Sequence, residues 1–206
     1  MKKLLLIPLL LLSISNVKAY ENEYFKIDIP DTFKEEIAEN GTYKWVNNND
    51  NIVITVSENK KDNKYNIENY TEENITEYEK YLEDEINKQL EEYKIKVDVK
   101  NIKKEKYKNM QTVNYDVVWP TKESTGYDIY QKGYAFTTEN YIYVYTYSSD
   151  SELTNNENYK NTLNSLEILD KEIEDNSFLK NKWKFALVIG GFGGVFAFFI
   201  SALKKH

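Results

Sequence analysis

Phe185 to Leu203 reads FALVIGGFGGVFAFFISAL, 19 positions without a charged residue. As a helix, such a run rises a little under about 30 Å, the thickness of a bilayer core. Trp183 stands at one end, where an interfacial aromatic belongs, and Lys204 and Lys205 close the other. The alternative, a buried core helix, would need polar interruptions and a further layer to pack against. The segment is expected to be a single transmembrane helix, and that expectation decides how the other segments are read.

The opposite end carries Met1-Lys2-Lys3, an apolar run from Leu4 to Leu12, and a more polar stretch to Lys18. Val17-Lys18-Ala19 puts small residues at the −3 and −1 positions of a signal-peptidase site, so Tyr20 is the expected mature N-terminus. The apolar run is too short for a span of about 20 residues, which disfavours an uncleaved anchor. The chain then divides into a leader (1–19), an extracytoplasmic domain (20–170), a juxtamembrane linker (171–184), the span (185–203) and a cytoplasmic tail (204–206). Orientation rests mainly on the leader. Lys180, Lys182 and Lys184 on the outer flank weaken the positive-inside signal of Lys204 and Lys205.

Every basic residue is Lys apart from His206, and there is no Cys. Between the leader and the flank of the span, 19 lysines meet 34 acidic residues, a formal charge of −15. This excludes a disulfide scaffold, a Cys/His zinc site and a basic nucleic-acid binder. Such a field repels anionic polymers and concentrates cations.

Within the domain, Tyr24 to Ile29 alternates apolar and polar and stops at Pro30, a strand ending in a turn. Tyr43 to Val46 and Ile52 to Val56 read as a hairpin joined by Asn47-Asn48-Asn49-Asp50-Asn51, residues that tolerate turn conformations. Thr71 to Tyr93 switches to helical period. Ile75, Tyr78, Leu82, Ile86, Leu90 and Tyr93 share one face, and Lys80, Asp84 and Lys88 lie opposite. Strands follow at Ile95 to Ile102, Thr112 to Trp119, Tyr127 to Thr137 and Tyr141 to Tyr147, then a second helix within Leu153 to Leu166. The expected class is α+β: an antiparallel sheet of about six to seven strands with helices packed on it.

The stretch from Tyr20 to Phe33, with its Tyr-Phe-Lys-Ile-Asp-Ile-Pro-Asp-Thr-Phe core, resembles the opening of the PsbP-like fold group. There an aromatic strand runs into an Ile-Pro turn, then come a hairpin, a mid-chain helix and several antiparallel strands. A last helix ends in a Ser-Leu step, here Ser165-Leu166. The resemblance implies an α/β/α sandwich around an antiparallel sheet. Its members include photosystem-associated, transport-associated and bacterial envelope proteins, so the fold does not fix a function. The charge-heavy, cysteine-free chain is unlike the plant photosystem subunits and suits a bacterial surface protein.

Chemistry is sparse. The domain has no imidazole and no thiol to move protons near neutral pH. The carboxylate pairs Glu72–Glu73 and Glu83–Asp84 fall on a wet helix face, and Gly190, Gly191, Gly193 and Gly194 lie in the span rather than in a phosphate loop. Asn47 to Glu58 begins like a calcium loop but has Ile52 where a Gly is required. No enzyme activity, cofactor or metal is expected.

Tyrosine is the one compositional hint, with 18 in the chain. Tyr141, Tyr143, Tyr145 and Tyr147 point the same way along one strand, with Tyr127, Tyr130 and Tyr134 on the strand before. Two uses fit: a ligand face for sugar rings or an apolar peptide, or the packed face of the sheet beneath its helices. Alternation, which buries one set, favours the second. In the span, Ala186, Gly190 and Gly194 line one face in the small-xxx-small mode of close helix packing.

These features lead to a non-enzymatic, membrane-tethered binding or interaction module of a bacterial cell envelope, engaging a protein or envelope component and no nucleic acid. The alternative is an accessory subunit of a membrane complex, associating with itself or with partner helices through the Gly-rich span.

Overall fold

The computed structural model describes residues 16–39, 41–59, 71–91, 95–108 and 110–169. The expected leader up to residue 15, the linker, the span with Ala186, Gly190 and Gly194, and the tail lie outside them. Among the described residues no helix is long and apolar enough to cross a membrane.

The strands are β1 (Val17–Glu21), β2 (Phe25–Pro30), β3 (Lys34–Glu39), β4 (Thr42–Val46), β5 (Asp50–Glu58), β6 (Asp98–Tyr107), β7 (Met110–Trp119), β8 (Ile129–Thr137), β9 (Tyr141–Ser149) and β10 (Glu167–Ile168). The helices are α1 (Glu72–Gln89), the single turn α2 (Lys122–Thr125) and α3 (Glu157–Ser165). A seven-stranded antiparallel sheet runs β3-β4-β5-β9-β8-β7-β6, and a small sheet runs β1-β2-β10. The class is α+β, as expected.

Local chemistry accounts for the connections. Asn47 Oδ1 accepts from the amides of Asn49 (2.8 Å) and Asp50 (2.7 Å), which closes the β4–β5 turn. Thr138 Oγ1 accepts from the Tyr141 amide at 3.0 Å and turns β8 into β9. Asn156 caps α3 by accepting from the Tyr159 amide at 2.9 Å.

The main sheet is covered on both faces. α1 lays Tyr78, Leu82, Ile86 and Leu90 on Val99, Val113, Val117, Ala135, Ile142 and Val144, while Lys80, Asp84 and Lys88 stay exposed. On the other face β2 and α3 bury Phe25, Ile27, Tyr159 and Leu163 against Ile52, Ile54, Phe136 and the β9 tyrosines. At about 1.5–3 kcal/mol per large buried side chain, these two interfaces are the main source of stability.

Four features differ from the sequence reading. β1 was not expected as a strand; it pairs Val17 to Glu21 with Pro30 to Lys26, and Ala19 lies within it. β3 was not expected: Lys-Glu-Glu-Ile-Ala-Glu lacks apolar alternation because it is an outer strand, where charge guards the edge. β6, the other outer strand, starts at Asp98 rather than Ile95 and continues through Lys103-Lys104-Glu105-Lys106 for the same reason. α2 is too short to leave a periodic signal.

Candidate functional site

The tyrosine stripe of β9 is inside the molecule. Tyr141 is 8% exposed, Tyr143 1%, and Tyr145 and Tyr147 0%. Tyr145 Oη lies 2.9 Å from Thr162 Oγ1, and the Tyr147 and Tyr159 rings meet at 5.5 Å. Tyr141 abuts Tyr24 at 5.4 Å. Burial pushes the Tyr145 and Tyr147 phenols well above their ordinary range. The stripe is packed core because the β2–α3 layer covers it, and no open ligand face runs along it.

An open cleft lies elsewhere on the same face, where β6, β7 and β8 extend past the start of α3. It encloses about 320 Å³. Its polar centre is Asp116 on β7, with Asn101 on β6 and Lys132 on β8; Val118 and Tyr130 line it from the same two inner strands. Leu153 of the short 3-10 segment Leu153–Asn155 and Tyr159 of α3 close the far side.

The backbone builds this centre. Between Lys100 and Lys103 the β6–β7 register shifts, so Asn101 and Ile102 together face one residue, Tyr115. Such a bulge re-aims a side chain. Asn101 adopts φ 55, a left-handed conformation that Asn tolerates better than most residues, and its Nδ2 donates to Asp116 Oδ2 at 2.8 Å. Lys132 Nζ meets Asp116 Oδ1 at 2.9 Å, the two side chains being 26% and 31% exposed. At the rim Lys100 pairs with Asp98 at 2.6 Å, and that hydrogen bond raises the lysine's pKa. At the back, Tyr159 Oη sits 2.9 Å from Tyr134 Oη. Burial, then that hydrogen bond, drives the Tyr159 phenol upward.

The centre retains unused capacity. A carboxylate offers about four acceptor sites, an ammonium three donors and an amide both functions. Asp116, Lys132 and Asn101 therefore have acceptors and donors left for a polar ligand. Among the described residues no group of three or more His, Cys, Asp or Glu is placed to hold a metal ion. A smaller crevice of about 100 Å³ lies between β1, β2 and β4, where the Tyr20 and Trp45 rings meet edge-on at 4.9 Å and Lys18, Asp31 and Glu35 also line it.

Sequence reasoning singled out Tyr130 and Tyr134 among these residues. Asn101, Asp116 and Lys132 are common polar residues on three separate strands, and only the register brings them together. The one available cue was an Asn in a Lys-rich edge strand, where a left-handed residue marks a bulge.

The architecture is that of a two-faced α+β sandwich. Among solved structures, cyanobacterial PsbP (CyanoP) from Synechocystis sp. PCC 6803 is similar over 76% of this chain and 95% of its own, with TM-score 0.55 and 11% identity. The chain thus has a PsbP-like fold. The Saccharomyces cerevisiae Ran-binding protein Mog1p overlaps 80% of this chain and 99% of its own at 10% identity, but with a TM-score of 0.47, too low to establish a shared fold. No family model and no curated protein matches the chain.

Proposed function

We propose that this protein is a membrane-tethered, extracytoplasmic binding module of a bacterial cell envelope that performs no catalysis, and that it engages its partner through the Asp116 cleft. The observation that carries the reading is the bulge at Asn101, a left-handed residue whose amide is turned onto Asp116 at an accessible cleft. Backbone strain of this kind clusters where a protein binds. The absence of thiol and imidazole from residues 20–170 supports a binding role over a catalytic one. The apolar run from Phe185 to Leu203 supports the tether. The spacing of Ala186, Gly190 and Gly194 favours the second reading, an accessory subunit held by its span.

Crosslinking of the full chain in its native membrane separates the two. On the cleft reading, Asp116→Ala with Lys132→Ala loses the captured partner, and Gly190→Leu with Gly194→Leu keeps it. The reverse pattern establishes the accessory-subunit reading and removes the cleft from the function.

A further inference from the structure

We infer that the Asp116 cleft takes a neutral sugar ring, a pyranoside with free neighbouring hydroxyls. The inference rests on the binding-module reading and names its ligand class. Four observations carry it.

The first is charge. In a domain of formal charge −13 over residues 20–170, the polar centre of the cleft is balanced: Lys132 meets Asp116, and at the rim Lys100 is held by Asp98, with Glu152 beyond them. An anionic ligand meets the surrounding acidic field. A cationic one must displace Lys132 from Asp116. A neutral ligand meets neither obstacle.

The second is hydrogen-bonding pattern. Adjacent hydroxyls of a sugar each donate and accept. Asp116 has acceptor sites beyond those used by Asn101 and Lys132, and Lys132 has donors beyond the one it gives to Asp116. Both atom types converge on one side of β7, as a pair of hydroxyls requires.

The third is the wall. Val118 and the half-buried Tyr130 line the cleft beside these groups. A phenol ring offers the apolar C–H face of a sugar a flat contact while its hydroxyl stays wet. The fourth is size: about 320 Å³ lies at the small end of ligand pockets, roughly 300–1,000 Å³, which suits one or two rings.

The test uses the full chain in micelles of a detergent without a sugar headgroup. Saturation-transfer NMR is run with maltotriose, with tri-N-acetylchitotriose, with a trigalacturonate and with a neutral tripeptide. The expected result is transfer to ring C–H protons of one or both neutral sugars, and none to the other two probes. Tyr130→Ala and Asn101→Gly should each weaken that binding by roughly ten-fold. Asn101→Gly is the decisive variant, since Gly adopts the φ of 55 without strain and the bulge survives while the amide is lost. Circular dichroism verifies the fold of both variants. The inference is overturned if neither neutral sugar shows transfer, if the trigalacturonate or the tripeptide binds more strongly, or if folded Asn101→Gly binds as the wild type does. If sugar binding fails while Asp116→Ala with Lys132→Ala still loses the crosslinked partner, the ligand class is wrong and the binding-module reading stands.

Discussion

The phenol ring of Tyr115 lies across Gly133, its register partner on β8, so that a Cβ at Gly133 would stand only 2.2 Å from the ring's Cζ. Tyr115 is also the residue that faces the β6 bulge. One ring thus seals the α1 side of the sheet directly behind the Asp116 cleft. Gly133→Ala is expected to cost about 1–3 kcal/mol, the usual range for overpacking. In a Tyr115→Ala background the same change should cost far less, so the double variant falls short of the sum of the singles. Urea unfolding of the four proteins measures this coupling.

Tyr134 and Tyr159 share a buried hydroxyl pair at 2.9 Å. Changing either to Phe leaves the other hydroxyl short of a partner, at a cost of about 1–3 kcal/mol. Changing both removes the pair, and the double variant should lose less than the two singles added together. Thermal melts of the set read this out.

Asp116 and Lys132 form a partly exposed pair, which bears on what they are for. Pairs of this kind contribute at most about 1 kcal/mol and are screened by salt. Asp116→Ala should therefore barely move the unfolding midpoint at high salt. A large loss there would mean that the cluster is structural and would count against its role in binding.

Alkaline titration offers a further check. Burial raises Tyr43 and Tyr107 to about 12 in the folded chain, against an ordinary value of 10.0. The folded state thus holds these protons more tightly than the unfolded state does. Their contribution to stability is complete below pH 10.0 and is lost as pH rises through about 12. The expected result is cooperative unfolding in that window, with tyrosinate absorbance rising together with loss of circular dichroism. Titration of the chain's whole tyrosine complement without unfolding would contradict the packing of these rings.

Periodicity made much of this fold legible. The face of α1 with Leu82 and Ile86, the β4–β5 hairpin around Asn47, and the alternation of β9 all follow from burial on one or two faces. β3 and the second half of β6 stayed hidden because outer strands bury little, so their charges carry no rhythm. The cleft was hidden for another reason. Asn101 and Asp116 are 15 positions apart on separate strands, and a single-residue bulge decides that they meet. The β9 tyrosines were legible as a set, but whether they were core or ligand face depended on where β2 and α3 lay.

β10 is joined to β2 by two register pairs, Glu167 with Lys26 and Ile168 with Phe25. Under the proposed tether, a pull on the anchor enters the domain at this point and loads the small sheet before the large one. Beside the two pairs, the Leu169 amide donates to the Tyr24 carbonyl at 2.8 Å, and α3, seated on β2, lies just before this short pairing in the chain. Tension would therefore reach this short latch first, on a different sheet from β6, β7 and β8, whose alignment holds Asn101 against Asp116.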